Sequence, residues 1–228
     1  MPTPAVLFDI DGTLVDSNYL HVHAWQRAFA QVDVDVESWR IHRGIGMDGS
    51  SLLEELAPDS GDEVKARAKD LHSRFYLETA RLLKPLPGTR RLLDLVAASG
   101  LQVVLATSAP EDELALLRKV LDQEDIVSAV TSSEDVETAK PRPDIVEVAL
   151  RRAGVAPGQA VFVGDSVWDV EAAGRAGVEC IGVESGGVDA SRLIGEGAVA
   201  VYRNPRDLAD GLADSPIGQL AASVSERG

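Results

Sequence analysis

The chain has 228 residues, of which 45% are hydrophobic and 26% are charged, as in an ordinary soluble globular enzyme. Its formal net charge of -15 argues against nucleic acid and anionic membranes as partners, because both repel an acidic surface. Cys180 is the only cysteine, which excludes an intramolecular disulfide, and neither a leader peptide nor a membrane-spanning stretch is recognisable, so we expect a cytoplasmic protein.

Five short apolar runs predict the strands of a parallel sheet. They are rich in Val, Ile and Leu and do not alternate with polar residues, which is typical of strands buried on both faces. A sixth run, Ala198–Tyr202, is a further candidate. The five runs are Ala5–Ile10, Leu101–Ala106, Ile126–Thr131, Ala160–Val163 and Val178–Val183.

Helical patterns separate most of these runs. Apolar residues recur on one face of Gly88–Ser99 and of Glu111–Leu121, and Pro143 suits the first turn of a helix that ends at Ala153. This alternation predicts an α/β fold with a doubly wound, Rossmann-like parallel sheet. Three of the strands follow a glycine that favours the left-handed end of a helix, namely Gly100, Gly154 and Gly177.

The segment between the first two strands breaks this rhythm, because it holds helical patterns and no convincing strand. We therefore predict two domains, a core formed by residues 1–16 and 85–228 and a helical cap formed by residues 17–84. The tail after Asp214 has no clear periodicity and is expected to be poorly ordered. The helical patterns of the cap are Tyr19–Ala30, Gly49–Leu56 and Val64–Leu83.

Acidic residues follow two of the predicted strands. Asp9 and Asp11 end the first, with Gly12 supplying a tight turn, and two carboxylates there are unfavourable without a cation or a partner. Asp165 ends the fourth strand, and Asp169 lies one helical turn beyond. Four carboxylates at one rim, with no histidine or thiolate beside them, favour Mg²⁺ over Zn²⁺. The structural alternative is that they cap turns and helices.

Three more polar residues follow predicted strands. Thr107 and Ser108 end the second strand, where hydroxyl groups and the free N–H groups of a helix start can hold phosphate oxygens, although a simple turn is the alternative. Lys140 stands before Pro141, between a strand and a helix. A lysine there either neutralises a phosphoryl group or is an ordinary solvated loop residue.

These four segments, in this order, resemble the motifs of the haloacid dehalogenase superfamily over nearly the whole chain. The helical insertion is similar to the four-helix (C1-type) cap of the β-phosphoglucomutase and phosphoglycolate phosphatase group. The resemblance implies a phosphatase acting on a small phosphate ester of the sugar phosphate or phosphoglycolate type. The matching segments are Asp9-Ile10-Asp11-Gly12-Thr13, Leu105-Ala106-Thr107-Ser108, Lys140-Pro141, and Gly164-Asp165 with Asp169.

The resemblance also implies a role for each residue. Asp9 would attack phosphorus to form an aspartyl phosphate, and Asp11 would protonate the leaving oxygen and then activate water. Dehalogenases of the superfamily lack this second aspartate, so Asp11 favours phosphate chemistry. Mg²⁺ would be held by the Asp9 carboxylate, the Asp11 backbone carbonyl and Asp165. Asp169 would act in the outer part of the metal site or orient Lys140. The phosphoryl group would be bound by Thr107, Lys140 and nearby Ser108.

The cap is expected to choose the substrate. His21-Val22-His23-Ala24-Trp25 is similar to the early cap helix of β-phosphoglucomutases and related sugar phosphatases, which implies that His21 lies near the acid/base aspartate. Arg43 is a candidate contact for a substrate hydroxyl or carboxylate, or an ordinary surface cation. Packing positions inside the cap are predicted at His23, Trp25, Phe29, Trp39 and Tyr76.

Other functions stay open at this point. A phosphomutase would return the phosphate to sugar, but such mutases carry a further cap arginine for a second phosphate where this chain has Met47 and Asp48. A response-regulator-like phosphoacceptor switch also uses acidic residues, a hydroxyl and a lysine, but it lacks a helical insertion after the first strand. A phosphate-binding protein without activity is the third alternative, and the oligomeric state is not readable.

Overall fold

The computed structural model describes residues 2–135 and 140–225, except for the side chains of residues 224 and 225. Within these residues, six strands form one sheet. They are β1 (Ala5–Phe8), β2 (Gln102–Ala106), β3 (Val127–Thr131), β4 (Ala160–Gly164), β5 (Glu179–Val183) and β6 (Ala200–Tyr202). All neighbours pair in parallel, in the order β3-β2-β1-β4-β5-β6, which confirms the doubly wound sheet.

The order of the strands reverses on either side of β1, which lies at the centre of the sheet between β2 and β4. Phe8 is level with Leu105 on one neighbour and with Val163 on the other. The ends of these three strands therefore meet at one edge, which is where ligands bind in such sheets. The regular ladder stops at Phe8, two residues before the predicted end, and Asp9 begins the connection that carries the acidic residues.

Four helices follow β1, in the region where the insertion was predicted. They are α1 (Asn18–Gln31), α2 (Ser38–Gly44), α3 (Gly49–Leu56) and α4 (Asp62–Glu78), with a short turn at Ala80–Leu82. The α1 and α4 helices pack along each other. The two ends of the insertion lie side by side, since the Asp16 N–H donates to the Lys84 carbonyl at 3.0 Å. The division into domains at residues 17 and 84 stays a prediction.

The remaining helices follow the predicted pattern. They are α5 (Thr89–Ala98), α6 (Glu111–Leu121), α7 (Asp144–Ala153), α8 (Val167–Arg175), α9 (Ala190–Glu196), α10 (Pro205–Asp210) and α11 (Pro216–Ser225). The two faces of the sheet are both covered. Val6 and Phe8 belong to the buried cluster that includes residues of α5 and α6, whereas Ala5 and Leu7 belong to the cluster with residues of α7 and α8.

The structure corrects three predictions, for His23, Trp39 and the tail, and adds one helix. His23 and Trp39 are exposed rather than packed, Trp39 to 58% of its surface. The α2 helix was not predicted, because only Ile41 and Gly44 of its seven residues are buried and no apolar stripe marks it. The tail is ordered by α11, whose Ile217 is fully buried in the core, while residues 226–228 lie outside the described residues.

In the described part of the chain, no helix is both long enough and apolar enough to cross a membrane.

Candidate active site

Lys140 lies at the centre of the site, between two carboxylates. Its Nζ is 2.5 Å from Asp9 Oδ1 and 2.6 Å from Asp169 Oδ1, and the side chain is only 2% exposed. Burial alone lowers the pKa of a lysine, but attraction by Asp169 and Asp9 outweighs it and raises the pKa of Lys140 above its usual value. Lys140 is therefore a permanent buried charge and not a solvated loop residue.

The two carboxylates that contact Lys140 belong to a cluster of three with Asp165. Oxygens of Asp9, Asp165 and Asp169 all lie within 4.8 Å of one another. Burial raises the pKa of Asp9 to about 7, against the opposing attraction of Lys140. The pKa of Asp165 is raised by burial and then by Asp169 and Asp9. A single lysine does not balance these charges, and hard carboxylate oxygens at this spacing fit a cation such as Mg²⁺.

Asp169 is fixed by the start of α8. Its Oδ2 accepts hydrogen bonds from the N–H groups of Asp165 and Ser166 and from Ser166 Oγ, at 3.2, 3.0 and 2.7 Å. Its Oδ1 therefore faces Lys140. The close approach requires Gly164, because a Cβ at that position would lie 2.5 Å from the Asp169 Cβ. The helix-cap alternative and the site role thus coexist in one side chain.

The Asp11 carboxylate lies outside the three-carboxylate cluster. Its Oδ1 accepts a hydrogen bond from Ser17 Oγ at 2.6 Å and lies 3.3 Å from His21 Nε2. Burial raises the pKa of Asp11, but the hydrogen bonds from His21 and Ser17 outweigh burial and lower it. Gly12 turns the chain directly after Asp11 with a φ of 73°, in the left-handed region that favours glycine.

A pair of histidines stands behind Asp11. His21 Nδ1 lies 3.1 Å from His72 Nε2, so one of the two nitrogens carries the proton of that hydrogen bond. His21 also stacks on Tyr76 at 3.9 Å between ring centroids, and His72 stacks on Trp25 at 4.1 Å. Burial lowers the pKa of His72 well below its usual value, so His72 is neutral. The stack fixes the His21 ring that contacts Asp11.

Thr107 and Ser108 follow β2 at the same edge of the sheet. Thr107 is buried, and its Oγ1 accepts a hydrogen bond from the Ala109 N–H at 3.0 Å. The buried Oγ of Ser108 has no hydrogen-bond partner among the described residues and lines the cavity beside Asp9. A buried hydroxyl without a partner is unfavourable unless a ligand supplies one. Ser108 is thus available to hydrogen-bond an oxygen of a bound molecule.

A cavity of about 310 Å³ lies above these residues, between the sheet edge and the helical insertion. Arg43 is not among its lining residues: the guanidinium lies 5.6 Å from the ring centroid of exposed Trp39. The substrate role of Arg43 stays a prediction. The lining residues include Asp9, Asp11, Thr107, Ser108, Glu113 and Lys140 from the core and His21, Trp25, Met47, Asp48, Ser50, Leu52, Lys69, His72 and Ser73 from the insertion.

Several supporting residues were not predicted from the sequence. Thr13 Oγ1 and Asn18 Nδ2 donate to the two oxygens of Asp165 at 2.9 and 2.8 Å. Thr13 lies inside the first motif, so its role in the site could have been predicted from its position, whereas no sequence pattern indicates a role for Asn18. The sequence indicates no role for His72 or Glu113 either, because an isolated polar residue in a helical pattern usually faces solvent.

Comparisons with known proteins agree with this geometry. The sequence model of the haloacid dehalogenase-like hydrolases matches residues 6–183. A phosphorylated carbohydrates phosphatase of Thermotoga maritima is 33% identical over 205 residues, which cover 87% of this chain and 94% of that protein. A phosphoglycolate phosphatase of Pseudomonas putida is 29% identical over 226 residues, covering 96% and 83%. The crystal structure of a hydrolase from Pseudomonas syringae superposes with a TM-score of 0.88 and 33% identity, covering 92% and 98%.

Proposed function

This chain belongs to the haloacid dehalogenase-like hydrolase family, and we propose that it is a phosphatase that acts on a small phosphorylated metabolite. The observation that carries the proposal is the environment of Asp9. Its carboxylate is buried at the floor of the cavity and paired with Lys140, next to a second aspartate that contacts a histidine. The relatives that are named as phosphatases support the same reaction class.

Asp9 is the nucleophile in this proposal. One of its carboxylate oxygens forms a bond to phosphorus while the bond from phosphorus to the leaving oxygen breaks. Lys140 stabilises the negative charge that collects on the phosphoryl oxygens, and Ser108 Oγ and Thr107 hydrogen-bond these oxygens. The cavity then holds an aspartyl phosphate and an alcohol.

Asp11 is the general acid in the first half of the proposed reaction and the general base in the second half. Asp11 Oδ1 and His21 Nε2 lie 3.3 Å apart and share one proton. Asp11 transfers this proton to the leaving oxygen. A water molecule then attacks phosphorus and returns a proton to Asp11 as the bond to Asp9 breaks. Inorganic phosphate leaves, and both carboxylates return to their starting state.

We further propose that the carboxylate cluster holds Mg²⁺, which supplies charge neutralisation to the phosphoryl group when it is bound. Asp9, Asp165 and the backbone carbonyl of Asp11 are the proposed ligands. Asp169 is anchored by the start of α8 and forms an ion pair with Lys140 at 2.6 Å. We therefore assign Asp169 a positioning role toward Lys140.

A phosphomutase is the alternative that the sequence left open. It would need a cation in the cavity for the second phosphate of its substrate. Met47 and Asp48 stand where the mutases have their further cap arginine and line the cavity, and the Asp48 carboxylate caps α3 by accepting from the N–H groups of Ser50 and Ser51 at 2.9 and 3.2 Å. Lys69 also lines the cavity, but it is exposed and its ammonium lies 3.1 Å from Ser50 Oγ. The acidic side chain of Asp48 repels a second phosphate, which supports hydrolysis.

The proposal is tested by phosphate release from sugar phosphates, phosphoglycolate, nucleoside monophosphates and p-nitrophenyl phosphate, with Mg²⁺ and with EDTA. We expect release that depends on Mg²⁺ and prefers one substrate class. Release from no ester by the folded protein would overturn the phosphatase proposal. Turnover that a sugar bisphosphate activates, without net phosphate release, would point to the mutase.

A further inference from the structure

Glu113 is a buried carboxylate that the reaction proposed above does not use. It lies in the first turn of α6, on the core side of the cavity, and only 3% of its surface is exposed. Its Oε1 accepts a hydrogen bond from Ser73 Oγ of α4 at 3.3 Å. Ser73 is the only hydrogen-bond partner that the described residues offer to this carboxylate. The pair therefore joins the two walls of the cavity.

Helix capping does not explain why this residue is buried. The first turn of α6 also contains Glu111 and Asp112, which are exposed and complement the helix dipole without loss of hydration. Burial of a carboxylate with one weak partner is unfavourable. Burial accordingly raises the pKa of Glu113 to about 7, although His21 opposes this shift. An unfavourable group that lines a cavity points to a ligand, because functional sites retain such groups.

The position of Glu113 separates it from the phosphoryl chemistry. It is not part of the carboxylate cluster of Asp9, Asp165 and Asp169. It lines the same cavity as His21 and His72, and its partner Ser73 directly follows His72 in α4. The charges that act on it most strongly are those of His21 and Asp11, so it lies on the side of Asp11, where the proposed reaction places the leaving group. Glu113 and Ser73 are therefore placed to contact the part of the substrate that departs, not the phosphate.

We propose that Glu113, together with Ser73, is a specificity-determining site that accepts hydrogen bonds from hydroxyl groups of the leaving group and disfavours a leaving group with a second anionic group. This inference rests on the proposed phosphatase function. The substrate class that it selects is a monophosphate of a polyol or sugar. Phosphoglycolate and bisphosphates are the classes that it rejects, because a buried carboxylate repels their second negative charge.

The other charged side chains of the outer cavity do not reverse this preference. The ammonium group of Lys69 lies 3.1 Å from Ser50 Oγ, but both residues are exposed, so water screens this charge. The Asp48 carboxylate is occupied as the cap of α3. His72 is neutral because burial lowers its pKa. Burial also opposes a charge on His21, but the contact with Asp11 outweighs burial and raises the pKa of His21, so its charge is paired there. Glu113 is thus the buried carboxylate that a leaving group meets outside the catalytic residues.

The test compares kcat/KM for glycerol 3-phosphate, glucose 6-phosphate and phosphoglycolate in the wild type and in Glu113→Gln. Assays at pH 8 keep the Glu113 carboxyl ionised. We expect the wild type to prefer one of the two polyol phosphates over phosphoglycolate by at least about tenfold, which is the size of one hydrogen bond to a charged group. In Glu113→Gln this preference should fall by about tenfold. Activity on p-nitrophenyl phosphate, which has neither hydroxyl nor carboxylate, should change by less than about threefold.

Two control variants separate specificity from structure. Glu111→Gln changes an exposed acid on the same helical turn and should leave the preference unchanged. Glu113→Asp keeps the charge but shortens the side chain, so it should still reject phosphoglycolate while losing kcat/KM for the polyol phosphates. It also serves if Glu113→Gln does not fold.

Three results would overturn the inference. One is a wild type that prefers phosphoglycolate, and another is an unchanged preference in Glu113→Gln that still hydrolyses p-nitrophenyl phosphate. The third is Glu113→Asp accepting phosphoglycolate as well as the polyol phosphates. Release from none of the esters, including p-nitrophenyl phosphate, would instead overturn the phosphatase function on which the inference rests.

Discussion

His42 Nε2 lies 2.9 Å from the carbonyl oxygen of Gly186 and so links α2 to the turn after β5. A second hydrogen bond runs the other way, from Trp168 Nε1 of α8 to the Arg43 carbonyl at 3.1 Å. Both contacts join the helical insertion to the sheet side of the molecule, beside the cavity. They hold the insertion in the position in which the cavity is formed.

We expect His42→Ala to raise the KM for phosphate esters about two- to tenfold with a smaller change in kcat. The lost hydrogen bond contributes roughly 1 kcal/mol to holding the insertion against the core, and the insertion contacts substrate from this position. Steady-state kinetics on the best substrate measure this effect. His23→Ala is the matched control, because His23 is an exposed histidine on α1. A His42→Ala variant with the wild-type KM would show that the contact does not hold the insertion.

Asp9→Asn should abolish turnover, with a loss of at least about a thousandfold, and leave the protein folded. The amide oxygen can still accept from Lys140, and removal of a carboxylate whose burial is unfavourable does not destabilise the fold. Phosphate release and thermal unfolding measure the two parts. Asp16→Asn, which changes a partly exposed aspartate paired with Lys84, is the control. The nucleophile role is contradicted if a preparation of Asp9→Asn without contaminating wild-type enzyme has activity within tenfold of the wild type.

Mg²⁺ should raise the Tm of the substrate-free protein by several degrees, because a ligand that binds only the folded state stabilises it by mass action. Asp165→Asn should lose most of this rise, since it removes one proposed ligand charge from the cluster. Thermal unfolding at increasing Mg²⁺ tests this without any substrate. An Asp165→Asn variant that keeps the full rise in Tm would place the ion elsewhere.

Gly164→Ala should destabilise the fold by about 1–3 kcal/mol and strongly reduce activity. The added Cβ would lie 2.5 Å from the Cβ and the Cγ of Asp169 and would push that side chain away from Lys140. Gly158→Ala is the control, because a Cβ there meets no atom within 4 Å. Denaturant unfolding and kinetics should separate the two variants, and equal behaviour would mean that Asp169 adjusts without consequence.

Glu113 should make the stability of the protein depend on pH. Its pKa is raised from 4.5 to about 7 in the folded state, so its contribution is most favourable below about pH 4.5 and is lost as the pH rises through 7. Glu113→Gln carries no ionisable group there and should be more stable than the wild type at pH 8 by up to about 3 kcal/mol, but by less than about 1 kcal/mol at pH 5. Thermal unfolding at both pH values measures the difference. A variant less stable than the wild type at pH 8 would assign Glu113 a structural role.

Much of the fold was predictable because its signals are local. The runs of Val, Ile and Leu mark strands buried on both faces, and the strands and the helices α3, α6 and α7 lie close to their predicted bounds. The α2 helix and the tail helix α11 were missed or misjudged. Their short apolar patterns do not by themselves indicate a buried helix face, because the burial of Ile41 and Ile217 depends on the surfaces that pack against them.

Within the site, the common location of the acidic, hydroxyl and lysine residues could be predicted from the sequence, because each follows a strand and strand ends share one edge of a parallel sheet. The pairing of these side chains depends on the folded arrangement of the chain. Lys140 and Asp9 are 131 positions apart in the chain, and their contact depends on the register of strands that no local pattern encodes. The burial of Glu113 and the contact of His72 with His21 were decided in the same way, by helices that pack across the cavity, because burial is a property of the assembled surfaces and not of the residue.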